Sequence, residues 1–505
     1  MSCSKILSGD IPELIYEVIK YFKTDFSTLH SCILVNRLWC RLTIPLLWED
    51  PFSNPAGNYN FIEIYLHNLS GDSKTKLSEY KINDNLSPSN TLFNYFKYIK
   101  NLNTMEFISS VEKWTVENLK FGNRYSNFIC ISLFKIFIEN EIELDNLDIE
   151  ISNSNLDDIL ELILQNINFI QNIKILNFYI CNYSKNMVTK DRVTQIVNLQ
   201  RNLKEILLDD NNFTLYQSLL LSDNSNCSNT LKMIIFYNVD FRNISNLDKI
   251  FERLNGLESI NIADCSSLNT SFIPQIINLT KPFKKLKSLF LKWRSQNDET
   301  LEILLQKSGD NLECFGGSCQ DFLFKRHLLD IMKYCKNIKF LDLHEIDNQT
   351  IYPVLNIIEN IKQNLNYLSI GIVDYSYSNT YIECSSTILL NLGQILPSKL
   401  EYLNLCIFIK ANDFEVFLKN IQDTFIKKLV IENLQSQDIL PYVKKYIMKR
   451  KRIEQLAILT FGWMDLFNLK DEVKEFKSYD IKVRRHCDLS LDSYNKIKRL
   501  KTTKI

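Results

Sequence analysis

Glycine is scarce in this chain: 11 in 505 residues, beside 10 prolines and 5 histidines. So few glycines leave little material for phosphate-cradling loops, and Gly316-Gly317 lacks the Lys-Ser/Thr such a loop requires. His30, His67, His327, His344 and His486 form no His-x-x-x-His pair, so a metalloprotease-type zinc helix is excluded. The 13 cysteines are scattered without a single Cys-x-x-Cys, which removes the usual zinc and disulfide-exchange spacings. Excess charge of one sign is also missing. Lys plus Arg equals Asp plus Glu at 59 each, which argues against a chain-wide nucleic-acid surface. No apolar run reaches membrane-spanning length, and Met1-Ser2-Cys3-Ser4 is polar rather than the start of a signal peptide. The expectation is a chain with reduced thiols in the cytoplasm or nucleus, needing no cofactor or metal and binding neither membrane nor nucleic acid.

What is present in quantity is apolar surface, at 45% of residues. Near the N-terminus, Asp10 is a plausible N-cap, and Pro12 suits the first helical turn because its missing N–H has no partner there anyway. Ile11, Leu14, Ile15, Val18, Ile19 and Phe22 follow at helical spacing. They cover an arc wider than the ~100° stripe that one buried face requires. Leu29, Cys32, Ile33 and Val35 make a second apolar turn, then Asn36-Arg37-Leu38-Trp39 and Pro45-Leu46-Leu47-Trp48 follow. Three short helices in about 40 residues cannot bury a self-sufficient core without a staple or a partner.

These residues carry a resemblance. Ile11-Pro12, the helix positions Leu14, Ile15, Ile19 and Phe22, the set Val35, Arg37 and Trp39, and the closing Leu47-Trp48 resemble the F-box pattern. Ile11 and Asn36 are mild departures from it. The resemblance covers about the first 50 residues. It implies docking on the Skp-type adaptor of a cullin-RING ubiquitin ligase, with Ile11, Pro12, Leu14, Ile15, Ile19, Val35 and Trp39 as adaptor contacts.

Pro51 to Asn60 is loop chemistry, and residues from Phe61 to about Asn140 read as helical. From about residue 141 a Leu-x-x-Leu-x-Leu pattern recurs. It appears at Ile173, Leu176, Phe178; Leu203, Ile206, Leu208; Leu231, Ile234, Phe236; and Leu257, Ile260, Ile262. It continues at Leu286, Leu289, Leu291; Leu312, Phe315, Gly317; Ile338, Leu341, Leu343; and Leu365, Leu368, Ile370. The last copies start at Leu400, Ile426 and Ile453. The starts lie mostly about 26–30 residues apart, near the leucine-rich-repeat range. Each x-Leu-x-Leu-x is a short strand with alternating side chains, and the residues between return as a helix, as in Phe322–Ile331. No copy can bury its apolar face alone, so the copies must stack. Asn211 and Cys265 stand where such a side chain can satisfy loop backbone groups.

The pattern resembles the leucine-rich repeats that commonly follow an F-box in large fungal families. That implies an α/β repeat fold: a three-helix F-box, then a right-handed α/β horseshoe. The expected division is 1–52 F-box, 53–140 helical cap, 141–485 repeats and 486–505 basic tail.

The x positions flanking the second Leu face away from the aliphatic core. They nominate Tyr237, Asn261, Lys292, Asp342, His344 and Tyr367, with Trp293 and Arg294 just beyond one strand, as a target-binding face. The same residues would also serve simple cross-strand packing. Tyr375, Tyr377 and Tyr381 lie in a long Ser/Asn-rich connection. Residues 444–452 form a basic run whose place before a strand suits a solvated helix end. The resemblance therefore implies a non-enzymatic substrate receptor with three partners: a Skp-type adaptor, a cullin and a target protein. Rival readings are an adaptor-binding protein outside any ligase, a repeat scaffold unrelated to ubiquitin, and an enzyme whose site is assembled from distant residues.

Overall fold

The computed structural model describes residues 12–490 apart from 24, 54–58, 68, 70–74, 76–91, 119–124, 152–155, 181–186, 223–226, 277–278, 280–284, 293–299, 319–329, 332, 373–378, 449–451, 461 and 463. The chain forms two compact units, residues 1–207 with 211–231, and residues 208–210 with 232–505.

The first unit opens with three helices: α1 (Pro12–Lys20), α2 (Phe26–Ile33) and α3 (Arg37–Leu47). Asp25 caps α2 by accepting the Thr28 N–H at 3.0 Å. Asn36, the departure from the F-box pattern, caps α3 by accepting the Trp39 N–H at 2.9 Å. After α3, an aromatic cluster of Trp48, Phe52, Tyr65, Phe96, Phe107 and Phe137 packs mostly edge-to-face. Parallel strands β1 (Asn101–Asn103), β2 (Asn146–Ile151), β3 (Ile175–Ile180) and β4 (Glu205–Leu208) follow in sequence order, separated by helices.

One joint repeats between the strands. The carbonyl just before β1, on Lys100, accepts two successive amides of the next copy, Asp145 N–H at 2.8 Å and Asn146 N–H at 3.0 Å. The Asp145 carbonyl does the same for Lys174 and Ile175, at 2.8 and 3.1 Å. The series begins in the helical segment itself: the Glu49 carbonyl accepts from Lys100 and Asn101 at 2.9 and 3.0 Å.

The second unit continues the pattern with β5 (Met233–Tyr237), β6 (Ser259–Ala263), β7 (Ser288–Lys292), β8 (Cys314–Ser318), β9 (Phe340–His344), β10 (Tyr367–Gly371), β11 (Lys399–Ile407), β12 (Phe425–Asn433) and β13 (Ile453–Thr460). Each pairs parallel with the next. The aliphatic motif positions are buried throughout, among them Ile234, Ile260, Leu289, Leu341, Leu343, Leu368, Leu403, Leu429 and Leu456. The same joint recurs at Lys232, Glu258, Lys287, Glu313, Lys339 and Asn366, whose carbonyls each accept two amides at 2.7–3.2 Å. The first five side chains alternate in sign, with Lys232–Glu258 at 2.8 Å and Lys339–Glu313 at 3.3 Å. The hydrogen bond from Lys232 holds the Glu258 carboxyl below its usual range, with Lys287 and Lys285 adding attraction. Asn337 and Asn364 also reach back to the carbonyls of Asp310 and Lys336, at 2.9 and 3.0 Å.

Cys265 fills its expected role, accepting the Val239 N–H at 3.5 Å. In the first unit, Asn212, next to Asn211, donates to the Phe178 and Leu207 carbonyls, both at 3.0 Å.

The far edge of the sheet is covered. β13 turns back as the hairpin strand β14 (Met464–Asp465), and β15 (Lys482–Val483) pairs beside it. Within the span expected as a basic tail, His486–Leu489 is a short helix packed on β12 and β13, and 491–505 lie outside the described residues. Of the Phe322–Ile331 helix, 322–329 lie outside the described residues, as do Tyr375 and Tyr377. Tyr381 belongs to the helix Asn379–Ile395.

Two tests follow from this packing. A Cβ on Gly393 would stand 2.8 Å from the Asn420 Cβ and 3.3 Å from the Phe417 carbonyl oxygen. Alanine normally stabilises a helix interior relative to glycine by about 0.5–1 kcal/mol. Here Gly393→Ala should instead destabilise by about 1–3 kcal/mol in denaturant unfolding, since the two helices must part. A gain in stability would show that the close approach is not a constraint. Asp50 provides the second test: burial, then the nearby Glu106, push its carboxyl from 3.8 up to about 6. An acid with a raised folded pKa binds a proton on folding, so its contribution is present below about pH 4 and lost as pH rises through about 6. Asp50→Asn should therefore raise Tm near neutral pH and much less at about pH 4. An equal shift at both pH values would contradict it.

Candidate functional site

Two surfaces gather the residues nominated by sequence. The first is on the three-helix segment. Ile15 and Ile19 are fully buried and make a core with Leu29 and Leu46, against which Tyr16, Phe22, Leu38, Trp39, Leu42 and Leu47 pack. This corrects the expectation that Ile15 and Ile19 contact an adaptor: α3 packs against both α1 and α2, so the innermost part of the wide apolar arc is consumed internally. Trp39 is likewise mostly a core contact, although its indole N–H has no acceptor among the described residues. Pro12 is half-buried at the start of α1, and Ile11 lies outside the described residues.

The flank of the same arc stays in solvent. Leu14 is 41% and Val18 42% exposed, and Tyr21, one turn on, is 85% exposed. Spacings of four and three place the three on one side of α1. In the turn between α2 and α3, Leu34 is 85% and Val35 53% exposed. Val18, Tyr21 and Leu34 were not nominated by sequence. Tyr21 and Leu34 lie just past helix ends, where an apolar side chain has nothing of its own helix to cover it, and that was the available signal.

The second surface is the sheet face opposite the aliphatic motif positions, in the second unit. Register aligns one row across it: Ile235, Asn261, Phe290, Gly316, Asp342, Ser369, Asn404, Val430 and Ala457. Tyr237, Asn261, Asp342, His344 and Tyr367 do share this face, but three of these five are not open to a partner. Asp342 is completely buried, and Tyr237 and Asn261 are buried as well. The physical reason is that strands stand only about 4.8 Å apart, so large outward side chains cover their small neighbours. A Cβ on Gly316 would fall 2.3 Å from the Phe290 ring, and one on Gly371 would fall 2.4 Å from His344 Nδ1. Both glycines are thus seats for rings from the adjacent strand. His344 remains partly exposed, with its Nε2 2.6 Å from the Asp342 carboxylate. Ser318, its register partner on β8, hydrogen-bonds Glu345.

Aromatic rings run along this face in a stripe that the nominations caught only at Tyr367. Phe290 and Phe340 lie with centroids 5.9 Å apart, Phe340 and Tyr367 5.9 Å, and Tyr367 and Tyr402 6.3 Å. Phe290, Phe340 and Tyr367 are half-buried, while Tyr402 is fully buried. Lys292 is the last residue of β7, and Trp293 and Arg294 lie outside the described residues. The missed signal was positional: Phe340, Tyr367 and Tyr402 each stand three places before the last core position of their motif copy, while Phe290 stands directly before that of the copy in β7.

The basic run is partly neutralised. Lys444 pairs with Glu472 and Glu475 at 2.6 and 2.8 Å, and Lys445 with Glu415 at 2.9 Å. Hydrogen bonds from Tyr446 and Lys445 hold the Glu415 carboxyl down to about 2. Residues 449–451 lie outside the described residues. Burial pushes the thiols of Cys130, Cys265, Cys335 and Cys384 up to about 12, so none of these is a thiolate at neutral pH. Among the described residues no His/Cys/Asp/Glu group could hold a metal ion, and no helix is long and apolar enough to cross a membrane.

No protein-family model matches the sequence, and no curated protein matches it. Among solved structures, the chain is similar to one titled "Crystal structure of Rad7 and Elc1 complex in yeast", with a TM-score of 0.37 and 14% identity, over 66% of this chain and 76% of that one.

Proposed function

We propose that this protein is a substrate receptor of a cullin-RING ubiquitin ligase, working in the cytoplasm or nucleus without covalent chemistry of its own. In this reading the three-helix segment docks a Skp-type adaptor that links to a cullin, and the outer sheet face of the second unit takes the target. The F-box-like residue order supports it. The observation that carries it is the uncovered apolar side formed by Leu14 and Val18 of α1 with Tyr21 just after it, left exposed after the segment has closed its own core. Exposed large apolar groups gathered on one short element mark an interaction surface. The adaptor contacts are therefore reassigned to Leu14, Val18, Tyr21, Leu34 and Val35, with Pro12 at their margin.

The reassignment makes a test that separates docking from folding. Leu14→Asp with Val18→Asp, in the full chain, should leave far-UV circular dichroism unchanged and weaken adaptor binding by at least about 30-fold. Burying two unpaired carboxylates at an interface costs about 2 kcal/mol or more. Ile15→Asp should instead unfold the helical segment. Unchanged adaptor affinity in the double variant would sink the docking surface. Adaptor recovered without cullin would favour a role outside a ligase.

On the target side, Phe290→Ser with Phe340→Ser should abolish target capture while adaptor binding persists, because aromatic anchors commonly contribute about 2 kcal/mol or more each. Retained capture would move the target site off this face.

A further inference from the structure

The chain leaves the helix Lys470–Ser478 through Asp480, in the left-handed region at φ 65°, and turns back to the sheet. Ile481 is buried and its N–H donates to the Phe476 carbonyl at 3.1 Å, which fixes this turn to the helix. From Lys482 to Ser490 the attachment is sparser. Only Val483 and Leu489 are buried there. β15 is two residues long and the helix His486–Leu489 four, too short for either to hold its form without the sheet beneath. The polar anchors are separate points. The Arg484 N–H donates to the Leu456 carbonyl at 2.9 Å, and the His486 N–H to the Asp465 carboxylate at 2.8 Å. His486 Nε2 lies 4.0 Å from the Glu432 carboxylate, and the Arg485 guanidinium 5.3 Å from the Phe467 ring centroid.

Beneath this segment lies the closed end of the aromatic stripe. Leu489 rests on Tyr402, Val430 and Ala457, all fully buried, and Tyr367 packs against the same group. Tyr402 stands in register with Tyr367, and Tyr367 with Phe340, so the covered residues continue the half-buried ones strand by strand. The cover fits its seat incompletely. Asn404, in register with Val430, is only 8% exposed. Its amide donates to Ser369 Oγ at 3.1 Å, and its Oδ1 has no donor among the described residues. A buried acceptor without a donor is unfavourable, and water admitted at the seat would supply one.

We propose that residues 482–490 are a releasable strap, which lifts as one unit about the joint between Ile481 and Lys482. Release bares the seat of Leu489 and, with it, the edge of β13 at Gln455 and Leu456 that β15 covers. The outer face thus has two forms, a closed one in which the open stripe ends at Tyr367 and an open one that continues through Tyr402 to Ala457. A ligand seated over Tyr402 binds only the open form, so it draws the equilibrium toward release. The inference concerns a motion within the second unit; it goes beyond the target-binding reading and does not depend on it.

Site-resolved hydrogen exchange on the full chain reads the release. Leu489→Ala should accelerate exchange at the Arg484 and His486 amides, and not only at Ser490, by at least about tenfold, because losing buried apolar area favours the open form. Val483→Ala, at the other end, should accelerate the Ser490 amide by a similar factor. Amides within β12 should not change in either variant, and two variants guard against one failing to fold. A reversible lock supplies the converse. Gln455 and Lys482 are register partners, so their Cα atoms stand about 4.8 Å apart, within the span of a disulfide. In Gln455→Cys with Lys482→Cys, oxidation should slow hydroxyl-radical labelling of Tyr402 by at least about tenfold relative to the reduced form. Phe315, buried on the aliphatic side, should stay protected in both forms. Any of three results overturns the proposal: acceleration confined to the substituted end, acceleration that spreads through β12, or equal Tyr402 labelling with the lock open and closed.

Discussion

A single carbonyl per repeat sets the stacking of each unit. Lys100, Asp145 and Lys174 in the first unit, and Lys232 through Asn366 in the second, each accept two successive amides from the copy that follows. Two donors on one acceptor leave no freedom for a strand to slip. A slip of one residue would turn every aliphatic side chain to the wrong face. Side-chain charge at the same positions reinforces the register. In the second unit Lys232, Glu258, Lys287, Glu313 and Lys339 alternate in sign. Exposed ion pairs of this kind contribute little individually, about 0–1 kcal/mol, but a one-strand mispairing would bring like charges together. The first unit extends the device to its helices, since Glu49 at the exit of the three-helix segment is the first such acceptor.

Register has a consequence on the face that carries no aliphatic motif. Side chains at equivalent places are brought into rows, so each outward residue is surrounded by its counterparts from the neighbouring strands. Where two large residues would collide, one is glycine: Gly316 admits the Phe290 ring and Gly371 the His344 ring. A face that alternation alone would leave open therefore becomes a partly closed surface. Its accessible material is a line of aromatic edges, and one end of that line is already sealed by Leu489.

The helical segment divides its apolar surface differently. Ile15 and Ile19 lie toward α3 and are consumed, whereas Leu14 and Val18, one position before each, stay outside. A shift of 100° about a helix axis separates core from contact surface. Substitutions at adjacent positions therefore have opposite meanings, unfolding in one case and loss of a partner in the other.

The repeat period, the strand positions within it and the aliphatic core were determined by sequence alone, because burial of Leu, Ile and Phe at alternating positions requires no knowledge of neighbours. The first short helix at the N-terminus was equally legible, from Pro12 and the apolar spacing, whereas the caps supplied by Asp25 and Asn36 came only from the structure. What only the tertiary structure decided was which of two adjacent apolar residues faces inward, and how far an outward residue is covered. Ile15 and Asp342 were misassigned for that reason. Their exposure depends on α3 in one case and on side chains from other strands in the other, and those residues are distant in sequence. The return of Leu489 to Tyr402 was hidden for the same reason. Nothing local in His486–Leu489 specifies a strand face, and only the pairing of β15 with β13 delivers it there.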